Sequence, residues 1–424
     1  MRDSPAASKS FLYFFPPVFL IALACLINYV DRGNLSIAAS TLQNELHITA
    51  RQLGFLLSAF FYTYTFFIFI SGWLVDRYSA NLVFAAGFAV WSLATSATGI
   101  VHGFAMLLLM RMLLGAGESV IFPCSCKVLA TFVPEGFRGI SNGLMTAGMK
   151  SGPAVGALGT GLLMAKYGWR PVFIGIGLIS LLWIPAWNWV TSRRAPLAPA
   201  GQASSVSALA ILRQRRFWFP TCGHFCSNYS MYFMVTWLPY YLQQERGLSL
   251  KQMPVVAAAY YACDSLGSLC TGWITDMLVR SGLSQPRVRK FSMAIGGVLA
   301  AITLVGWASA GPRTYFYWLI ATGLSVGTFG WGTLTFAQTF GGPKLAGKWT
   351  GLQNGFANFS GVVCPVITGF LVQSTGRFAA PLGVAAFVAI VGALSWTSVP
   401  QTTPEVLSRE YHGGSAEAVL HSPE

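Results

Sequence analysis

The sequence Gly72-Trp73-Leu74-Val75-Asp76-Arg77 recurs 200 positions later as Gly272-Trp273-Ile274-Thr275-Asp276, with Met277 in place of the arginine. Each copy follows an apolar run that is long enough to cross a bilayer. A repeat over half the chain length indicates two equivalent halves. We therefore predict two halves that contain the same number and order of membrane-spanning helices.

The composition excludes an ordinary soluble protein. Hydrophobic residues make up 54% of the 424 residues, charged residues make up 9%, and the mean hydropathy is +0.57. Soluble proteins carry about a quarter charged residues. Windows of about 20 apolar residues between charged or turn-forming clusters predict twelve spans. They cover residues 13–39, 52–75, 81–101, 104–132, 137–165, 170–190, 217–243, 254–279, 290–309, 314–338, 347–373 and 378–398.

The predicted fold is an all-α membrane protein with two pseudo-symmetric six-helix bundles. The first bundle covers residues 1–190 and the second covers residues 217–399. Residues 191–216 are rich in Ala, Pro, Ser and Arg and are predicted to form a cytoplasmic linker. Residues 400–424 are predicted to form a disordered cytoplasmic tail.

The distribution of basic residues predicts the topology. Most of the 27 Lys and Arg residues fall in segments that face the cytoplasm if both termini are inside. The first apolar run continues into a charged motif and has no cleavage site, so we expect it to remain as a helix. The net charge of +14 is explained by attraction to anionic lipid headgroups, and we predict no nucleic-acid partner.

The eight cysteines all lie within predicted spans and are interpreted as small packing residues. Cys222, His224 and Cys226 have spacing that places the middle residue on another helix face. We therefore predict neither a metal site nor a cofactor. The sequence also lacks a nucleophile–base pair, so we do not expect an enzyme.

The first predicted helix contains two charges side by side in the stretch Asn28-Tyr29-Val30-Asp31-Arg32-Gly33-Asn34-Leu35-Ser36. An Asp or Arg at the bilayer centre costs about 2.5–3.5 kcal/mol on insertion scales. Such residues usually serve a function in the membrane. We therefore interpret Asp31 and Arg32 as part of a site for a charged solute, a proton, or both.

A six-plus-six repeat with Gly-x-x-x-Asp-Arg after the second helix resembles the major facilitator superfamily. Within it, the Asp31 to Ser36 motif and Arg111-Met112-Leu113-Leu114-Gly115-Ala116-Gly117-Glu118-Ser119 are similar to the anion:cation symporters. This group includes bacterial permeases for D-galactonate, glucarate, hexuronate, tartrate and phthalate, and the animal transporter sialin. The resemblance implies a monomeric, multi-pass carrier in a bacterial inner membrane.

Arg32 is the predicted ligand of the substrate carboxylate. A guanidinium matches a carboxylate bidentately and stays charged at any working pH. Its alternative role is to neutralise Asp31. Neighbours in a helix point about 100° apart, however, so the two side chains cannot fully satisfy each other. The resemblance also implies that Arg32 contacts the substrate.

Asp31 and Glu118 are predicted proton carriers, because burial and nearby cations can bring a carboxyl group into the titration range. The resemblance assigns coupling to both acids and makes Arg111 their ionic partner. Arg111 and Glu118 lie seven residues apart on one helix face, roughly 10 Å along the axis. For Glu118 the alternative is a helix–helix hydrogen bond without titration.

Other polar residues of the first half provide further candidate ligands. The resemblance implies that Tyr64 donates its hydroxyl to the substrate, since only one of Tyr62 and Tyr64 can face the cavity. The alternative is that both tyrosines simply pack. Lys150 is interpreted as a second positive contact, with snorkelling towards the membrane surface as the alternative.

The second half provides amides and one acid. Asn228 and Asn358 are expected to bind substrate hydroxyl groups, and Asn358 occupies a polar position in the resembling family. Asp264 lies 200 positions after Tyr64 in the repeat. It is interpreted either as a third titrating acid or as a gate hydrogen bond.

The repeated loop is expected to form the cytoplasmic gate. The glycine would allow close helix approach, and the aspartate would cap a helix end and pair with an arginine. The predicted gate residues are Gly72, Asp76, Arg77, Asp276 and Arg280.

The fifth predicted helix departs from this pattern. Gly148-Met149-Lys150-Ser151-Gly152-Pro153-Ala154-Val155-Gly156 resembles a signature of drug/proton antiporters, although such spacing also allows close helix packing. The sequence therefore predicts proton-coupled uptake of a small organic anion, such as a sugar acid, by alternating access. The alternatives are a proton-coupled exporter and a membrane sensor that does not transport.

Overall fold

The computed structural model describes residues 11–192 and 207–400, and its regular elements there are all α-helices. The predicted tail from residue 401 and most of the predicted linker lie outside the described residues. The helices are α1 Phe11–Ile37, α2 Ala39–Leu46, α3 Ala50–Arg77, α4 Ala80–Thr98, α5 Phe104–Glu118, α6 Ile121–Phe132, α7 Glu135–Tyr167, α8 Trp169–Ser180, α9 Trp183–Ser192, α10 Ala208–Leu212, α11 Arg215–Gln244, α12 Met253–Arg280, α13 Gln285–Ala308, α14 Tyr315–Gly330, α15 Thr333–Asn358, α16 Ser360–Thr375 and α17 Ala379–Thr397.

Each of the twelve predicted spans corresponds to a helix or to two consecutive helices. Eight stretches are long and apolar enough to cross a membrane by length and composition. They are α1, α3, α4, α5 with α6, α8 with α9, α13, the end of α15 with α16, and α17. The other four spans are α7, α11 and α12, which are long but more polar, and α14, which has only 16 residues.

Several boundaries differ from the sequence prediction; for example, the sixth predicted span is divided between α8 and α9, and the eleventh between α15 and α16. The predicted fourth span is broken where α5 ends and α6 begins, directly after Glu118. The predicted loop at 339–346 is instead part of α15, which continues without a break from Thr333 to Asn358. Gly341, Gly342 and Pro343 disfavour a helix locally, so the continuity of α15 runs against the propensity of these residues.

Glycines bring α7 against α1 along most of the motif in the first helix. A Cβ atom at Gly148 would lie 2.2 Å from the carbonyl oxygen of Ala22, and one at Gly152 would lie 2.5 Å from Cβ of Tyr29. Only glycine permits such a close approach. The packing role therefore explains the glycine spacing in α7 without an antiporter function, and it fixes the position of the charged motif in α1.

The two halves of the chain meet at the end of the bundle where α3 begins and α16 ends, which we call the closed end. A Cβ atom at Gly54 would lie 2.5 Å from the carbonyl oxygen of Pro365, and one at Gly369 would lie 2.7 Å from that of Ala50. The hydroxyl of Ser36 also donates to the carbonyl oxygen of Val235 at 2.7 Å. Backbones in such close contact leave no passage between these helices at this end.

Candidate functional site

The two predicted charged motifs meet through an ion pair between α1 and α5. Nε of Arg32 donates to Oε2 of Glu118 at 2.9 Å, and the two side chains are 4% and 0% exposed. A buried pair of this kind needs good geometry, because both ions lose their hydration. Nη2 of Arg32 and Oε1 of Glu118 have no hydrogen-bond partner. The pair therefore retains unused capacity to bind a further polar group.

Three aromatic rings surround the guanidinium of Arg32. Its Cζ atom lies 4.8 Å from the ring centre of Tyr29, 4.9 Å from that of Phe60 and 4.6 Å from that of Tyr64. Such distances allow cation–π attraction, which partly replaces lost hydration. Tyr64 is buried and stacked on Phe60, and it is not among the residues that line the cavity next to Arg32.

Asp31 points to a different set of neighbours. Its Oδ1 atom accepts a hydrogen bond from Nδ2 of Asn34 at 3.2 Å, and its Oδ2 atom is buried without a partner. Among the described residues, the ion pair of Arg32 is with Glu118 and not with Asp31. In this structure Arg32 therefore pairs with Glu118 and does not neutralise Asp31, because adjacent helix positions diverge.

Arg111 lies on α5, two turns before Glu118, and is also buried. Its Cζ atom lies 5.7 Å from the ring centre of Phe60. The same ring contacts Arg32. Within the described part of the chain, the direct ionic partner of Glu118 is Arg32, whereas Arg111 acts on Glu118 and Asp31 only at longer range. The site thus contains two guanidinium groups and two carboxyl groups.

A small cavity lies between these groups and the second half of the chain. It has room for about one water molecule, which is far too little for a sugar acid. Its walls are formed by Tyr29, Arg32, Leu57, Phe60, Phe61, Arg111, Met231, Tyr232, Val235 and Thr236. The site in this structure is therefore occluded, and the helices around it must separate before a solute can enter.

Tyr232 is the residue of α11 that the sequence analysis missed. It lines the cavity, packs its ring 4.4 Å from that of Phe61, and donates its hydroxyl to Oδ1 of Asn358. Asn358 in turn donates to the backbone oxygen of Asn354 at 2.7 Å and to its Oδ1 atom at 3.0 Å. This chain of polar groups connects the predicted amide Asn358 to the cavity.

Asn228 and Tyr229 precede Tyr232 by about one turn on α11. The side chain of Asn228 is half-buried, and Tyr229 is buried next to Cys364. Neither residue is among those that line the cavity. The helix is apolar or aromatic on several faces, so its sequence alone does not show which tyrosine turns towards the first half.

Lys150 and Asp264 lie together at the interface of α7 and α12. Nζ of Lys150 is 3.3 Å from Oδ2 of Asp264, and the two side chains are 30% and 14% exposed. The hydroxyl of Ser265 also donates to the backbone oxygen of Lys150 at 2.9 Å. Lys150 therefore does not snorkel to the membrane surface, and Asp264 is joined to the other half of the chain.

The predicted gate residues are not brought together among the described side chains. Arg77, Asp276 and Arg280 are exposed, and Arg77 lies 5.7 Å from the ring centre of Trp73. The side chain of Asp76 lies outside the described residues. A Cβ atom at Gly72 would have nothing within 4 Å, so close helix approach is not the reason for a glycine there in this structure.

No group of three or more His, Cys, Asp or Glu side chains within the described ranges could hold a metal ion.

Residues 21–341 match the sequence profile of the Major Facilitator Superfamily. The hexuronate transporter of Bacillus subtilis is 28% identical over 395 residues, which cover 90% of this chain and 93% of that protein. The probable L-galactonate transporter of Escherichia coli is 30% identical over 406 residues, covering 89% and 87%. A crystal structure of a bacterial homologue of the human lysosomal transporter Spinster, inward-facing and unoccupied, superposes with a TM-score of 0.74 at 15% identity over 98% of this chain and 100% of that one.

Proposed function

Because the chain belongs to the Major Facilitator Superfamily, we propose that it is a secondary active transporter that imports a small organic anion together with protons. The relatives named as hexuronate and L-galactonate transporters support a sugar acid as the substrate. Such a molecule has a carboxylate and several hydroxyl groups. It needs a cation and several neutral hydrogen-bonding groups in its site.

The observation that carries the proposal is the buried ion pair of Arg32 and Glu118. A substrate carboxylate that binds Arg32 must compete with the carboxylate of Glu118 for the same guanidinium. If Glu118 takes up a proton, it loses the charge that holds Arg32. Protonation and anion binding would therefore favour each other, which is the requirement for symport.

The proposed cycle begins with the site open to the outside. Asp31 and Glu118 take up protons, and Arg32 then receives the substrate carboxylate. The loaded carrier rocks to the inward-facing state, where the anion and the protons leave. Arg111, which lies near both acids, keeps the empty site close to neutral when the acids have lost their protons.

The hydroxyl groups of the substrate would bind on the opposite wall. Tyr232 and Asn358 there supply a hydroxyl and an amide from the second half. Both are now bonded to each other, so they would exchange these bonds for bonds to the solute. A substrate held by Arg32 on one side and by these groups on the other would draw the two halves together, as alternating access requires.

The membrane topology determines which side of the membrane the closed end faces. The helices define a multi-pass membrane protein. The positive-inside rule places both termini in the cytoplasm, and this puts the closed end outside. The structure would then represent a state that is shut towards the outside.

A panel of thermal shifts tests the proposal directly. We would compare sugar acids, aromatic acids, dicarboxylates, cations and neutral drugs on the purified protein and on Arg32→Ala. We expect sugar acids to raise the melting temperature of the wild type, because a ligand that binds the folded state stabilises it. The effect should be absent in Arg32→Ala. Stabilisation by cations or neutral drugs alone would contradict the proposal.

A further inference from the structure

Lys150 and Asp264 form the ion pair that links residues 11–192 to residues 207–400, and among the described residues it is the only one that does so. A second polar bond supports it at the same level, where the hydroxyl of Ser265 donates to the backbone oxygen of Lys150. Both bonds join α7 to α12. Any movement that separates these two helices must break both of them.

The position of this pair along the bundle follows from the contacts of α7. Nearer the closed end, α7 and α12 meet again where a Cβ atom at Gly161 would lie 2.5 Å from Pro254. The eleven residues from Lys150 to Gly161 span roughly 16 Å at the rise of an α-helix. The lysine thus lies about half a membrane thickness from the closed end.

Along the bundle, the ion pair of Lys150 and Asp264 lies farther from the closed end than the Arg32 site does. α7 runs parallel to α1, with Gly148 against Ala22, Gly152 against Tyr29 and Gly156 against Val30. Lys150 is therefore level with residues before Tyr29, whereas Arg32 lies on the side of the closed end. A solute that leaves the Arg32 site away from the closed end must pass the level of the ion pair.

The face of α7 that continues past Lys150 is exposed. Asn142, Gly143, Thr146 and Ala147 lie three to eight residues before the lysine, and all four are exposed. Two of them are polar, which is unusual for a surface that faces lipid tails. Among the described residues, no hydrogen bond or ion pair joins α7 to α12 on this side of Lys150. The pair therefore lies where this exposed, unbonded stretch of α7 begins.

We propose that Lys150 and Asp264 form a latch that closes the substrate cavity on the side of this exposed stretch of α7 and opens when the substrate leaves. The pair is partly exposed, and partly exposed ion pairs add little to stability. It can therefore break and form again in each cycle. The fully buried pair of Arg32 and Glu118 lacks this exposure and belongs to a single half of the chain.

Amide hydrogen exchange on the full-length protein in lipid nanodiscs tests the latch without a substrate. The variants are Lys150→Met, Asp264→Asn and the exchanged pair Lys150→Asp with Asp264→Lys. Met and Asn are close in size to the residues they replace, so they remove a charge with little loss of volume. Glu45→Gln is the matched control, because Glu45 pairs with Arg170 within one half.

The latch predicts roughly threefold faster exchange in α7 before Lys150 and in α12 after Asp264 for each single variant, because the closed arrangement loses a stabilising contact. The exchanged pair should return to the wild-type rate, which a merely misfolded protein would not do. Glu45→Gln should leave both segments unchanged. Wild-type exchange rates in the single variants, or no recovery in the exchanged pair, would overturn the latch.

The latch acts on the movement of the two halves and does not depend on which solute the protein carries. The exchange measurement contains no anion, so a failure of the sugar-acid assignment does not change its outcome. Conversely, wild-type exchange rates in the variants would leave the Arg32 site untouched.

Discussion

Arg32 and Glu118, which are separated by 86 positions in the sequence, form a fully buried ion pair in which each partner keeps one polar atom without a hydrogen bond. A buried network that is only partly satisfied is costly for the folded state. Such a cost is common where binding requires it, since a ligand can then supply the missing bonds. The free Nη2 atom of Arg32 is the position from which a carboxylate can replace Glu118.

Glu118→Gln should abolish accumulation driven by a proton gradient while leaving exchange of substrate across the membrane. The amide keeps the shape and an acceptor for Arg32, but it cannot carry a proton. Proteoliposomes with and without an imposed pH gradient, loaded with labelled sugar acid, distinguish the two activities. Glu45→Gln serves as the control acid. Loss of exchange as well would count against a coupling role for Glu118.

Arg32→Lys should weaken binding of the anion although the charge is retained. A lysine cannot reproduce the planar, bidentate fork or the ring contacts of the guanidinium. Loss of one charged hydrogen bond costs about 1.5–3 kcal/mol, which corresponds to roughly a tenfold to hundredfold rise in Kd. Titration calorimetry measures this change in Kd, and Arg170→Lys at the closed end is the control. Unchanged affinity would mean that Arg32 is not the carboxylate ligand.

Gly148→Ala should lower the melting temperature, whereas Gly72→Ala should not. The new methyl group at position 148 would meet the carbonyl oxygen of Ala22, and overpacking of this kind costs about 1–3 kcal/mol. At position 72 the methyl group has open space, and alanine favours helix by roughly 0.5–1 kcal/mol over glycine. Thermal unfolding in nanodiscs measures the melting temperatures of both variants and of the wild type. Equal melting temperatures would show that the α7 glycines are not required for packing.

Glu45→Gln should destabilise the protein at neutral pH and lose this effect in acid. Hydrogen bonds from Arg170 and Trp169 hold the pKa of the Glu45 carboxyl below its usual value. A lowered pKa gives stability that is present above the unfolded-state pKa and disappears as the pH falls through the folded-state pKa. Melting curves at pH 7 and below about pH 4 measure the difference. Because Glu45 is partly exposed, we expect only a small effect. A difference that persists in acid would rule out the charge as its cause.

The sequence predicted the parts of the structure that depend on local pattern. The cost of intramembrane charge made Arg32, Asp31 and Glu118 candidates, and the helices that carry them lie where apolar length placed them. The length and polarity of a segment determine whether it spans the membrane, so this success has a simple physical basis.

The sequence did not predict which face of each helix turns towards the site or which residues of distant helices pair. On α11, Tyr232 lines the cavity and the predicted ligand Asn228 does not, because α11 has aromatic residues on several faces and its orientation is set by packing. The partner of Lys150 depends on contact between two halves far apart in the chain. No neighbour lies close to Gly72 in this structure, and a glycine in sequence does not reveal whether a neighbour is close.

The central claim is that anion binding at Arg32 and proton binding at Glu118 favour each other. Titration calorimetry near neutral pH, with one sugar acid in two buffers of different ionisation enthalpy, measures the protons taken up per anion bound. We predict that the wild type takes up protons when it binds the anion and that Glu118→Gln takes up about one proton fewer. Anion binding without proton uptake, or equal uptake in Glu118→Gln, would contradict the account.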